Sequence, residues 1–333
     1  MKFSLIVCTY MRPIALMDLL KTVETQDLYP NEILIIDGSS NNETRDMLVV
    51  NEFKNLSYFK VDDEDRGLTK QRNYGISKVS DKSEVVCFLD DDITLSTSYF
   101  KSLIGTYEQK PEALGVGGYI IKEVCWENSN VEASSNYFCI DGWKRKEPSR
   151  FKARKALGLH PDVWPGILPS FSHMRAISFL PPSGKVYPVE LFMGGVASYK
   201  KSVFQSLSFS TYFEGYGLYE DADFCLRLSK IGQLYVNTAA TCEHHHEAEG
   251  RPNMYKYGKM VIRNGWYIWR VKYNNPKLKA RLKWHLTAFL LMNLNFIGGI
   301  KSMNKNFEIQ ESFGRAVGWW SLLFDKPEIK HHD

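Results

Sequence analysis

The segment Val85 to Leu95 reads VVCFLDDDITL. Val85 to Leu89 is an unbroken apolar run, the pattern of a strand buried on both faces in a parallel sheet clad by helices. Asp90, Asp91 and Asp92 follow without a spacer. Open parallel sheets bind ligands beyond the carboxyl ends of their strands, so this triplet faces a ligand crevice. Three adjacent carboxylates repel one another, and a hard divalent cation, Mg2+ or Mn2+, relieves that repulsion. The plainer reading is a solvated acidic loop. The position directly after a buried strand favours the cation.

On either side, Phe3 to Cys8, Ile33 to Ile36 and Leu56 to Val61 read as three further strands. Residues 14–25 carry Leu16, Leu19, Leu20 and Val23 at helical spacing, and helices are expected over Thr44 to Val50 and Leu68 to Val79. Right-handed crossovers turn this alternation into a doubly wound, mostly parallel α/β sheet flanked by helices. Thr9-Tyr10 and Asp37-Gly38-Ser39 end the first two strands and should converge with the acidic triplet. Residues 123–190, rich in Pro, Trp and Ser, read as an insertion or lid over the site. Leu191 to Tyr199 is expected to resume a strand, with Gly194-Gly195 permitting close backbone approach. A helix is expected over 220–231. Leu234 to Cys242 is a further extended run leading into His244, His245 and His246. Beyond 250 the pattern is mostly helical. The expected organisation is a domain over 1–250 and a helical C-terminal region over 251–333.

The 333 residues are 44% hydrophobic and 24% charged, which excludes disordered, collagen-like and low-complexity classes. The six cysteines lie far apart and form no CxxC pair, which argues against a zinc ribbon and for a reducing compartment. Phe3 to Cys8 is too short for a secretory leader. Leu286 to Ile300, interrupted by Asn293 and Asn295, falls short of the ~18 residues of a membrane-spanning helix. The formal charge of +4 is spread unevenly: residues 251–307 hold 12 basic and no acidic residues, interleaved with aromatics such as Tyr255, Trp266 and Trp269. That mixture suits an anionic membrane surface. A single-stranded nucleic-acid groove and a merely solvated basic face are the alternatives, and nucleic acid is not expected as a partner.

Other residues carry candidate chemistry. Glu220-Asp221 opens a helix, where carboxylates either complement the helix dipole or serve as a general base beside the crevice. The preceding Phe213 to Tyr219 is a glycine-punctuated aromatic loop suited to an acceptor pocket. A histidine of 244–246 either completes a metal shell or belongs to a surface cluster. Arg66 and Arg72, near a helix start, suit a phosphate.

Taken in order, SLIVCTYMRP (4–13), EILIIDGSS (32–40), RGLTKQRNYGI (66–76), VVCFLDDDITL (85–95), MGGVASYKKSVF (193–204), YFEGYGLYEDADFCLRL (212–228) and CEHHH (242–246) resemble the family 2 inverting glycosyltransferases of GT-A fold, of bacterial surface-polysaccharide type. The resemblance covers roughly residues 3 to 250. It implies a metal-dependent enzyme that moves a hexose-like sugar from a nucleotide-sugar donor, a UDP-sugar first of all, to a hydroxyl of a glycan or lipid-linked glycan. Such an enzyme would be cytoplasmic and peripheral on the inner face of the cell membrane. By the same resemblance Asp37 contacts the base, Thr9 and Arg12 lie near the nucleotide, and Arg72, Asp90 and Asp91 serve the donor. Asp90 and Asp92 correspond to the DxD-type metal motif, with Asp92 the direct ligand to Mn2+ or Mg2+ and His244, then His246, completing the shell. Asp221 corresponds to the catalytic base with Glu220 its neighbour, and Gly194, Gly195 and Tyr216 would meet the acceptor. Two positions depart from the pattern: Gly38-Ser39 follows Asp37 where many relatives carry a second acid, and Gln71 replaces a small residue. A nucleotide-sugar hydrolase, a nucleotidyltransferase and a non-enzymatic membrane-surface module are the competing readings.

Overall fold

In the computed structural model, which describes residues 1–129, 136–171, 173–245, 253–301 and 305–329, the chain begins with alternating strands and helices. These are β1 (Phe3–Thr9), α1 (Pro13–Glu24), β2 (Glu32–Asp37), α2 (Glu43–Val50), β3 (Leu56–Lys60), α3 (Leu68–Lys78) and β4 (Val85–Asp90). Then come β5 (Ile93–Leu95), α4 (Tyr99–Gln109), β6 (Ala113–Ile120), β7 (Glu127–Asn128), β8 (Tyr137–Ile140), β9 (Trp143–Lys146) and α5 (Ser149–Ala156). The remainder holds β10 (Val186–Val189), β11 (Val196–Lys200), α6 (Glu220–Leu228), β12 (Gln233–His244), α7 (Met254–Lys272), α8 (Leu278–Lys301) and α9 (Lys305–Ser321).

The apolar runs form adjacent strands because each needs cover on two faces. β1 lies between β2 and β4, parallel to both, and β3 extends the row beyond β2. The sheet order is β10-β12-β6-β11-β4-β1-β2-β3, with β5 pairing β12. On one face Leu5, Val7, Ile33, Ile35, Cys87 and Leu89 pack beneath Leu16, Leu19, Leu20 and Val23 of α1 and Tyr99, Phe100 and Leu103 of α4, all essentially inaccessible. Each such side chain contributes roughly 1.5–3 kcal/mol of burial. On the other face α3 comes close because position 75 is glycine: a Cβ there would stand 2.8 Å from Ile6 Cγ2.

Two features escape simple alternation. β11 runs antiparallel between β4 and β6. β12 runs parallel to β6, breaks register between Val236 and Thr241, and then pairs antiparallel with β5. Its far end is thereby delivered beside the segment that follows the acidic triplet.

The chain forms two compact units, Met1–Val124 with Pro182–Gly250, and Cys125–Pro181 with Arg251–Asp333. Residues 125–181 therefore group with the C-terminal region, not with the domain into which the sequence places them. They hold a small sheet ordered β7-β9-β8 and the helix α5. In that second unit α7 and α9 meet backbone to backbone: a Cβ at Gly258 would lie 2.0 Å from the Glu311 carbonyl oxygen, and one at Gly314 2.0 Å from that of Tyr255. Ile262, Trp266, Trp269, Trp284, Ala288 and Leu322 form its core. No helix among the described residues is long and apolar enough to cross a membrane.

Candidate active site

Register brings the expected residues together. Thr9 at the end of β1 stands opposite Asp37 at the end of β2, and Cys8 stands opposite Asp90 at the end of β4. Gln71 of α3 ties these ends. Its amide nitrogen donates to the Thr9 carbonyl at 3.1 Å and to the Ile36 carbonyl at 2.8 Å, while its oxygen accepts from Gly67 N–H at 3.3 Å. A small residue there could make none of these bonds. Asp37 is fully buried, and its oxygens accept from Ser39 N–H (2.8 Å) and the Tyr58 hydroxyl (2.8 Å). Beside it Arg66 donates to the Gly38 carbonyl at 2.7 Å, and its guanidinium carbon sits 5.9 Å from the centre of the half-exposed Tyr10 ring.

The three aspartates part ways. Asp91 turns inward, accepting from the Thr9 hydroxyl at 2.7 Å and from Arg12 at 3.1 Å. Burial pushes its pKa up to about 6, against the lowering effect of Thr9 and Arg12. Asp90 and Asp92 instead gather with His244, their ligand atoms all within 4.8 Å of one another. His244 Nε2 lies 3.1 Å from Asp92 Oδ1. Burial alone would lower the imidazole's pKa, but Asp92 outweighs it and raises it. The β5–β12 pairing delivers this histidine: His244 is opposite Ile93, and His245 N–H donates to the Asp92 carbonyl at 3.1 Å. His245 itself turns to Thr94 at 2.7 Å. His246 lies outside the described residues. Two carboxylates and one imidazole make a mixed oxygen and nitrogen donor set, which fits Mn2+ better than the oxygen-loving Mg2+.

Arg72 of α3 joins this acidic group to α6. Its guanidinium, nearly inaccessible, donates to Glu220 and lies 3.4 Å from Asp90 Oδ1. Burial would lower its pKa, but Glu220 and Asp90 prevail and raise it. Glu220 Oε2 is buried without a hydrogen-bond partner. Its neighbour Asp221 accepts from Gly194 N–H at 3.0 Å and Ala222 N–H at 2.7 Å. Burial raises the Asp221 pKa, and those two backbone donors oppose it. Tyr219, just before this pair, holds a left-handed backbone with φ of 70°. That conformation is costly for an aromatic residue, and such strain gathers at functional sites.

The expected strand over 191–199 begins only at Val196, and the turn before it explains why. Gly194 binds Asp221 through its N–H, and a Cβ at Gly195 would fall 2.1 Å from Asp90 Oδ2. Consecutive glycines therefore touch the acid of the cation cluster and the candidate base. Tyr216 is 39% exposed in the loop before α6. Asn73 fixes that region by exchanging two 2.9 Å hydrogen bonds with the Phe209 backbone. In the sequence Tyr58 carries no sign of a role, and Gln71 stands out as a member of the helix-start segment and a departure from the family pattern, not as a tie between strands. No spacing signal marks either residue, because their partners are backbone atoms or lie on another strand.

Residues 4–169 match the model of "Glycosyl transferase family 2". This stretch is a glycosyl transferase family 2 domain, and the α/β architecture is that of the GT-A glycosyltransferases. A glucosyl-dolichyl phosphate glucuronosyltransferase of Haloferax volcanii is 30% identical over 128 residues, 37% of this chain and 39% of that protein. The O-antigen chain rhamnosyltransferase RfbN of Salmonella typhimurium is 32% identical over 98 residues, 29% of this chain and 30% of that protein. The matches thus span less than two fifths of either relative. The mannosyltransferase PcManGT from Pyrobaculum calidifontis, solved with GDP-Man and Mn2+, shares the fold at a TM-score of 0.56 and 14% identity, covering 98% of this chain and 88% of that one.

Proposed function

We propose that the protein is a metal-dependent inverting glycosyltransferase that moves a sugar from a nucleotide-sugar donor to a hydroxyl of a glycan or lipid-linked glycan. The observation that carries this reading is the meeting of Asp90, Asp92 and His244 at the sheet edge, with Asp221 held through the adjoining Gly194. Asp90, Asp92 and His244 would hold a divalent cation, Mn2+ by the donor set. When bound, such a cation neutralises charge on a leaving diphosphate. Asp221 takes the proton of the acceptor hydroxyl as that oxygen attacks the anomeric carbon. Its raised pKa makes it a better base than an exposed aspartate. Arg72 and the two backbone donors fix the carboxylates, so little reorganisation is needed during transfer. A single displacement of this kind inverts configuration and needs no covalent sugar–enzyme intermediate.

A uridine-linked donor is our first choice, from the place of Asp37 beside Gly38 and the exposed ring of Tyr10. A lipid-linked acceptor accords with the dolichyl phosphate named for the Haloferax relative. The acid-free stretch 251–307 would face an anionic membrane surface and hold the enzyme peripherally on the cytoplasmic leaflet. The test is product analysis with a panel of nucleotide sugars, Mn2+ and a lipid pyrophosphate glycan. We expect nucleoside diphosphate release matched by glycosylated acceptor. Release of free sugar at the same rate without acceptor means a hydrolase. A new pyrophosphate bond means a nucleotidyltransferase, and no turnover over the whole panel means a binding module.

A further inference from the structure

The 24-residue helix α8 is apolar on two opposite faces. One face is core: Trp284, Thr287 and Ala288 are 2% exposed or less. At 100° per residue, Leu278, Leu282, Leu286, Phe289, Phe296 and Ile300 fall on a second face, roughly 80° wide. Their exposures are 72%, 56%, 56%, 54%, 44% and 53%. Such side chains are ordinarily inside, and the stripe runs roughly 33 Å, broken only by Asn293, whose amide donates to the Phe289 carbonyl. A second apolar face on a helix normally has a partner of its own.

Charge identifies the cover. Lys277, Lys279 and Arg281 are exposed at the start of the stripe, Lys283 is half-buried there, and the whole of 251–307 has no carboxylate. A second copy laid parallel along α8 would set the two basic starts against each other. An anionic lipid surface offers headgroup phosphates to the cations and an acyl boundary to the leucines and phenylalanines. We propose that α8 lies in the plane of an anionic membrane with this face sunk to the headgroup–acyl boundary. The proposal rests on the reading of 251–307 as membrane-facing and names the element and the mode of contact. It does not depend on the chemistry at Asp92 or Asp221.

The test is flotation of the full chain with vesicles of phosphatidylcholine alone or with one-third phosphatidylglycerol, at low and high salt, beside a Leu286→Glu/Phe289→Glu variant. Both side chains are more than half exposed, so the variant should melt with the wild type. We expect wild type to float with the anionic vesicles and the variant's partition coefficient to fall at least ~tenfold. A Lys279→Gln/Arg281→Gln variant should lose the salt-sensitive part of binding. Equal flotation of wild type and the Leu286→Glu/Phe289→Glu variant overturns the role of α8 and leaves a purely electrostatic membrane contact. Absence of wild-type binding to anionic vesicles overturns both. Self-association in the ultracentrifuge, abolished by that variant and without lipid binding, makes α8 a contact between copies and also overturns the proposal.

Discussion

Replacing Arg72 with glutamine tests the bridge between the cation cluster and the candidate base. The Arg72 and Glu220 side chains are 3% and 5% exposed, and Arg72 also lies 3.4 Å from Asp90 Oδ1. Its guanidinium carbon is 5.8 Å from the Phe88 ring centre and 5.3 Å from that of Phe209. Removing one partner of a buried ion pair costs about 3–5 kcal/mol, because the other charge is stranded. Glu220 is stranded more than most, since its second oxygen has no hydrogen-bond partner. At roughly 2–4 °C per kcal/mol, Arg72→Gln should melt about 6–20 °C below wild type in circular dichroism at a pH where Glu220 is charged. Burial pushes the Glu220 pKa up to about 8, so below that pH the carboxyl holds a proton and the loss is small, and the deficit should open as pH rises through about 8. Adding Glu220→Gln removes the stranded charge and should recover at least half of the loss. A single variant within a degree of wild type, or a double variant no more stable than the single, refutes the bridge.

Asp221→Asn should reduce transfer by ~10²–10⁴-fold while donor binding, measured calorimetrically, stays at the wild-type value; near-normal turnover removes Asp221 from the role of base. Gly195→Ala places a methyl group 2.1 Å from Asp90 Oδ2 and should abolish Mn2+-dependent stabilisation without unfolding the chain; an unchanged Mn2+ response contradicts the packing described. The pKa of Asp91 is raised from 3.8 to about 6, so its protonated form favours folding, and that contribution is lost as pH rises through about 6. The difference in unfolding free energy between wild type and Asp91→Asn should therefore move by ~2 kcal/mol in favour of the variant from about pH 4 to about pH 7; denaturant titrations at both pH values check it.

The fold's first half is legible because its strands are locally consistent. Val85 to Leu89 and Ile33 to Ile36 are apolar without interruption, and they are buried as that pattern demands. The carboxyl-end clusters follow from strand placement alone, which is why Thr9, Asp37 and Asp90 meet. The rest depends on pairings between distant segments. His244 reaches Asp92 only because β12 changes partner from β6 to β5, and nothing in CEHHH shows that switch. An apolar run also reads alike whether it is parallel or antiparallel, so the reversed insertion of β11 is invisible. Residues 191–195 look extended, yet Gly194 and Gly195 serve the two acids and delay the strand to Val196. The grouping of 125–181 with 251–333 is likewise a tertiary outcome. Local composition does not encode it.

Transfer requires Asp90, Asp92 and His244 to grip a cation that in turn grips a nucleotide diphosphate. Thermal melting of the chain with nucleoside diphosphates and nucleotide sugars, with Mn2+ or with chelator, measures this directly through ligand stabilisation. The prediction is a concentration-dependent rise in melting temperature for at least one nucleotide with Mn2+, absent with chelator and absent in Asp92→Asn. The same rise with chelator, or its survival in Asp92→Asn and His244→Ala, contradicts the account.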